Sequence, residues 1–225
     1  MRLSTKLIIF DFDGVIITGS NEGYFTCYHK ALGSVNVRLE PSEERKRILE
    51  WWGKGHKKQL ELLLKEHPDK LDGAITAYEK CYFSPLFHKK IKLVDGADAE
   101  LERLFQTRTL AIASGMVRKT MDDLIEKFHI PYFKRILTFE DAKKEEHKKP
   151  SPYMLFQLMN ECGVTKDETV YVGDAENDVI MAKGAGVTPI VVLTGHLNRE
   201  EAEKLGVKYI IPEVTYLETI LDKLC

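Results

Sequence analysis

Two kinds of hydrophobic pattern divide this chain. Leu7-Ile8-Ile9-Phe10 is a short unbroken apolar run rich in β-branched residues, the pattern of a strand buried on both faces. From Tyr24 to Phe87 no such run recurs, and apolar positions fall three and four apart instead. Tyr24, Tyr28, Ala31 and Leu32 share one helical face; Ile48, Leu49 and Trp52 predict a second helix, residues 60–64 a third, and Ile75, Tyr78, Tyr82 and Phe83 another. Pro41, Gly53, Gly55 and Pro68 separate these pieces, and residues 19–23 form a polar stretch before them.

Beyond Lys92 strand and helix patterns alternate. Residues 109–113, 135–138, 169–172, 189–193 and 209–211 read as strands. Residues 98–105 read as a helix with Leu101, Leu104 and Phe105 inward. Further helices are marked by Met121, Leu124, Ile125 and Phe128, and by residues 152–162, 179–185, 200–205 and 216–224. The alternation predicts an α/β fold: a parallel sheet covered on both faces, interrupted by an all-helical insertion. The expected boundaries are 1–17 and 89–225 for the sheet domain and 18–88 for the insertion.

Composition narrows the function classes. With 225 residues and 44% hydrophobic content the chain can bury a sizeable core. The net charge of −2, with acids and bases mixed along the chain, argues against a nucleic-acid or membrane surface. The first apolar run is too short for a signal peptide, and no stretch approaches the roughly 20 apolar residues that span a bilayer. Cys27, Cys81, Cys162 and Cys225 are scattered with no C-x-x-C pair, which argues against a zinc site or a disulfide framework and fits a reducing compartment. The expectation is a soluble, cytoplasmic protein.

The candidate chemistry sits where strands stop. Asp11 and Asp13 follow the first strand at i and i+2, so both carboxylates can face one pocket, and Gly14 lets the chain turn sharply after them. Ser114-Gly115 follows the strand at 109–113, and Asp174 follows the strand at 169–172 in the run GDAENDV, which also offers Asp178 one helical turn on. Lys149 stands in HKKPSPYM, where Pro150 and Pro152 stiffen the loop. In open α/β sheets ligands bind beyond the carboxyl ends of the strands. Carboxylates there can hold Mg²⁺, attack phosphorus, or move a proton; a hydroxyl and backbone N–H groups can cradle phosphoryl oxygens; a lysine offsets their charge. Taken singly, each piece also reads as ordinary turn, loop or helix-cap chemistry.

Together and in this order, the four stretches resemble the four motifs of the haloacid dehalogenase superfamily, and the resemblance covers the whole chain. The position of the insertion resembles the helical C1 cap of the branch holding phosphoglycolate phosphatases and β-phosphoglucomutases. The resemblance implies a Rossmann-like core and a Mg²⁺-dependent phosphatase acting on a small phosphorylated metabolite through an aspartyl phosphate, with a phosphomutase of the β-phosphoglucomutase kind as the alternative. It implies Asp11 as nucleophile and Asp13 as general acid/base. Ser114, with Gly115 beside it, and Lys149 would bind phosphate. Mg²⁺ would be held by Asp11, the Asp13 carbonyl and Asp174, with Asp178 nearby. Dehalogenases of the superfamily typically lack the second Asp of the first motif, so Asp13 favours phosphate chemistry. A phosphorylated receiver module is a third reading, which the helical insertion argues against. Two departures stand out: IITGS after the first motif carries no acid, and Asp95-Gly96 stands where relatives often have Pro-Gly. More loosely, WWGKGHKKQ at 51–59 resembles the specificity loop of C1 caps, which makes Lys54, His56 and Lys57 candidate contacts to the rest of the substrate. A monomer or homodimer is expected.

Overall fold

The computed structural model describes residues 4–51 and 55–224. Trp52, Lys54 and Cys225 lie outside them. In chain order the elements are β1 (Leu7–Phe10), β2 (Ile17–Thr18), α1 (Ser20–Ser34), α2 (Pro41–Glu50), α3 (His56–Leu63), α4 (Leu71–Tyr82), α5 (Pro85–His88), β3 (Lys92–Leu93), α6 (Ala97–Phe105), β4 (Thr109–Ala113), α7 (Arg118–Phe128) and β5 (Phe133–Leu137). They continue with α8 (Tyr153–Cys162), β6 (Thr169–Gly173), α9 (Glu176–Gly184), β7 (Thr188–Val192), α10 (Arg199–Lys204), β8 (Tyr209–Ile211) and α11 (Leu217–Leu224). The chain divides into two units, residues 1–18 with 92–225, and residues 19–91.

The first unit is built on a six-stranded sheet in the order β5-β4-β1-β6-β7-β8, with every neighbouring pair parallel. β1 lies between β4 and β6, and its four side chains are fully buried, as an unbroken run of Leu, Ile and Phe requires of a central strand. Beneath one face Leu7, Ile9, Ala111, Tyr171, Leu155 and Leu158 join a single apolar cluster. Asp11 N–H still donates to Val172 O (2.8 Å), so the pairing with β6 carries the first carboxylate to the rim of the sheet. The chain then turns back through Gly14, and β2 pairs antiparallel with β3, a two-residue ladder that its length hid from the hydrophobic pattern.

The second unit is helical. α1 and α4 pack on each other and bury Cys27, Tyr28, Ala31 and Leu32 against Ala74, Tyr78, Cys81 and Tyr82. Tyr28 and Gln59 hydrogen-bond in this interior, and Gln59 Nε2 donates on to Ile48 O (2.9 Å), so both buried polar groups are paired.

Three expectations need correction. α1 begins at Ser20 rather than after the polar stretch: Gly19 enters it at φ 85°, and Gly23 lies against Phe87, where a Cβ would come within 2.8 Å of the ring. Phe105 is not inward: it ends α6, where the helical period buries Leu101 and Leu104, and its ring meets Tyr132 at 5.8 Å while 48% exposed. Leu49 is likewise outward, because the same period turns Ile48 into the core.

Candidate active site

The site grows from the carboxyl ends of β1, β4 and β6. Phe12 is fully buried between Asp11 and Asp13, as alternation demands, so the two acids leave the strand on the side opposite its ring. Asp11 Oδ1 accepts the Phe12 N–H (2.7 Å), and its carboxylate is hydrogen-bonded by Ser114 from the end of β4. The Ser114 amide is fixed to Leu137 O (3.0 Å), and its hydroxyl accepts the Met116 N–H (3.3 Å). Gly115 next to it faces open space.

Lys149 is the hub. Its Nζ lies 3.1 Å from Asp11 Oδ2, 2.8 Å from Asp178 Oδ1 and 2.8 Å from the Tyr171 hydroxyl, so three acceptors meet the three ammonium protons. Lys148 goes elsewhere, to Glu145 (2.5 Å) and over the Phe139 ring (4.2 Å). Two adjacent lysines in one charged loop thus take opposite roles. Asp178 in the first turn of α9 folds back on the strand end: its Oδ2 accepts the N–H groups of Asp174 and Ala175, both at 3.1 Å, and its Oδ1 meets Lys149 and Tyr171. Four donors already engage it, so it orients the site more than it offers free lone pairs.

Carboxylate oxygens of Asp11, Asp174 and Asp178 lie within 4.8 Å of one another, the one group of acids gathered in this way among the described residues. Burial, then the charge of Asp178, pushes the Asp11 carboxyl above its ordinary range against the pull of Lys149. Burial, Asp178 and Asp11 hold Asp174 well above it. Burial works against the charge on Lys149, yet Asp11 and Asp178 outweigh it and raise its pKa. Three clustered acids, with one ammonium on two of them, leave a deficit of positive charge. An all-oxygen donor set of this charge fits a hard divalent cation, and the residues present can hold one. Gly14, at φ 76°, makes room for the Asp174 carboxylate: a Cβ there would stand 2.5 Å from its Oδ2. Asp13 sits in a bridge to Ile17 and contributes charge toward Asp174.

Sequence reasoning missed two contributors. Tyr171 reads as strand core, and its ring is fully buried, but its hydroxyl lies 3.0 Å from Asp178 Oδ1 and 3.2 Å from Ala113 O. The clue was a phenol on the strand leading to Asp174, on the same face as Gly173. The segment Thr194–Leu197 follows β7 at the same rim. Thr194 donates to Gly14 O (2.5 Å), His196 N–H donates to Asp174 Oδ2 (2.9 Å), and Leu197 N–H donates to Asp174 O (2.8 Å). A Cβ on Gly195 would overlap the Asp174 carboxylate. Its clue was another strand end carrying Gly beside a polar pair.

The candidates in the helical unit are not gathered in this cluster. His56 opens α3, 3.1 Å from Glu79 and stacked on Tyr78 at 4.8 Å, and Lys57 lies 3.7 Å from the same Glu79. Lys54 lies outside the described residues.

The sequence profile of the haloacid dehalogenase-like hydrolases matches residues 8–192. A phosphoglycolate phosphatase of Aliivibrio fischeri is 24% identical over 227 aligned residues, covering 96% of each chain. The pyrophosphatase PpaX of Halalkalibacterium halodurans is 27% identical, covering 85% of this chain and 84% of its own. Among solved structures, a putative β-phosphoglucomutase from Thermotoga maritima superposes with a TM-score of 0.79 at 18% identity, over 98% of this chain and 100% of that one. The fold is thus shared with that branch, and the curated relatives carry phosphatase names. On a profile spanning most of its length, and with the four motifs gathered at one sheet rim, this chain belongs to the haloacid dehalogenase-like hydrolases.

Proposed function

We propose that the protein is a Mg²⁺-dependent phosphatase that hydrolyses a small phosphorylated metabolite through an aspartyl phosphate on Asp11. The observation that carries this reading is the cluster of Asp11, Asp174 and Asp178 at the strand ends, with Lys149 on Asp11 and Asp178. Residues 19–91 would serve as the cap that selects the substrate, and the names of the curated relatives support a phosphate compound as that substrate.

The residues divide the work as follows. Ser114, the backbone near Gly115 and Lys149 hold the phosphoryl oxygens, and Lys149 keeps the Asp11 carboxylate oriented and partly neutralised. An Asp11 oxygen forms a bond to phosphorus as the bond to the leaving oxygen breaks, and Asp13 gives that oxygen its proton. Asp13 then takes a proton from water, whose oxygen attacks phosphorus. The Asp11–phosphorus bond breaks, releasing phosphate and the free carboxylate. Mg²⁺ held by Asp11, the Asp13 carbonyl and Asp174 would supply charge stabilisation for the transferring group. Tyr171 and Asp178 hold Lys149 in place.

A panel of phosphorylated metabolites, assayed for released phosphate with Mg²⁺ and with excess chelator, tests the reading. Phosphate release that needs the metal and Asp11 supports it. Isomerisation of a sugar phosphate without phosphate release would replace it with a mutase, and full activity in chelator would end it.

A further inference from the structure

Cys27 and Cys81 lie 54 positions apart in sequence, and folding brings their sulfurs 2.6 Å from each other in the interior of the helical unit. Two non-bonded sulfurs do not ordinarily rest so close. The juxtaposition does not depend on that one contact, because aromatic pairs on the same two helices set it. Tyr24 of α1 stacks on Tyr82 of α4 at 6.1 Å, and Tyr28 of α1 meets Tyr78 of α4 at 4.7 Å. The lower-numbered residue on α1 meets the higher-numbered one on α4, so the helices run antiparallel, and that register brings Cys27 and Cys81 into the same stretch of the helix pair, about half a turn from level. Both cysteines are buried, at 0% and 4% exposure, and both are free thiols in this structure. Cys162, the third cysteine described, belongs to α8 in the other unit.

We propose that Cys27 and Cys81 form a disulfide that cross-links α1 to α4 and closes the helical unit on itself. The oxidant is a small-molecule or protein disulfide. One cysteine thiolate attacks it, forming a mixed disulfide and releasing one thiolate. The second cysteine thiolate then attacks the mixed disulfide and releases the other. Two cysteine protons are lost, one disulfide forms and one is reduced, so the electrons balance. Burial has two consequences. It raises the Cys27 thiol and so disfavours the attacking thiolate, which makes formation slow in the closed state. It also shields the finished bond from external reducing thiols, so a disulfide here would survive conditions that reduce an exposed one.

The test uses the full chain, incubated with glutathione disulfide a few degrees below its melting temperature and then alkylated under denaturing conditions. Peptide mapping should find Cys27 and Cys81 in one linked species, lighter by two hydrogens than the two free peptides together. The oxidised chain should melt on the order of 10 °C above the reduced chain, because a cross-link across so long a segment restricts the unfolded state. Cys27→Ala, Cys81→Ala and the double variant should each lose the whole oxidation-dependent increment. Full alkylation of both residues, a stable glutathione adduct on either one, or an increment that survives in a single variant would overturn the assignment. The comparison of oxidised with reduced wild type needs no substitution, so it stands even if a variant folds poorly.

Discussion

The strand-end site and the helical unit both hold many charged groups, and they satisfy them in opposite ways. At the ends of β1 and β6 three carboxylates gather, two of them on Lys149, and burial drives Asp11 and Asp174 toward their protonated forms. In the helical unit basic side chains find acids within the unit: His29 with Glu44, Arg45 with Glu22, Lys58 with Glu61, and His56 and Lys57 with Glu79. Buried charge left uncompensated is costly to a fold and is kept where a ligand completes it. Charge neutralised at a solvated surface is worth little either way. The imbalance, more than the residue types, singles out the first region as the candidate site.

The largest expected break in that contrast comes from Asp11→Asn. It keeps the shape and removes the attacking oxygen anion, so turnover should fall by about four orders of magnitude or more while the melting curve stays within a few degrees of wild type. Phosphate release within tenfold of wild type would remove Asp11 from the nucleophile role. Supplying the missing charge should sharpen the contrast. At Mg²⁺ concentrations near 100 times its dissociation constant the chain should gain about 2.7 kcal/mol, or roughly 5–10 °C in melting temperature over the chelated protein. Asp174→Asn should lose most of that gain, and an equal gain in the variant would place the metal elsewhere.

The pH dependence follows from the same imbalance. Asp174 is held well above 3.8, so above that value the folded, metal-free protein keeps a proton that the unfolded chain has released. The stability contributed is fully present below the unfolded value and is lost as pH rises through the raised folded value. In chelator, wild type should therefore lose melting temperature relative to Asp174→Asn as pH rises above the unfolded carboxylate value, until the raised folded value is passed. A melting-temperature difference that stays constant with pH would mean that burial and the neighbouring carboxylates do not raise Asp174 as argued. Tyr171→Phe is milder. It removes one acceptor from Lys149 and one neighbour from Asp178, so kcat should fall by about tenfold or less, with a loss of about 1 kcal/mol, near 2–4 °C. Unchanged kinetics would leave Tyr171 as core packing alone.

What was legible in the sequence follows the same division. The strands could be read because β1, β4 and β6 are buried on both faces and so carry unbroken apolar runs, whereas the two-residue β2–β3 ladder carries too little pattern to register. Asp11, Ser114, Lys149 and Asp174 stand at strand or loop junctions, where their residue types are conspicuous. Tyr171 and the segment Thr194–Leu197 are not, because their contribution is one hydroxyl and a few backbone groups that only the folded rim brings together. Phe105 shows the reverse error: an apolar residue at helical spacing is turned outward because its helix ends there. The Cys27–Cys81 contact was hidden by 54 positions of sequence separation, which no local spacing rule spans.

The smallest effect on chemistry is expected from Lys54, His56 and Lys57, changed together to Ala. If this segment selects the substrate, these residues act on the part of it that is not phosphate, so KM for the best natural substrate should rise severalfold while kcat changes little. Hydrolysis of a small aryl phosphate should stay within about twofold, because the strand-end groups perform that reaction without the loop. The pairing of His56 and Lys57 with Glu79 supplies the control. Glu79→Gln loosens both side chains without removing either, so under the selection reading it should leave KM unchanged or lower it, whereas the triple substitution raises it. If both changes raise KM alike, the effect is loss of local structure around Tyr78 and α3, and selection belongs to other residues of the helical unit. If neither moves KM, His56 and Lys57 are as self-contained in function as their pairing with Glu79 makes them in the fold.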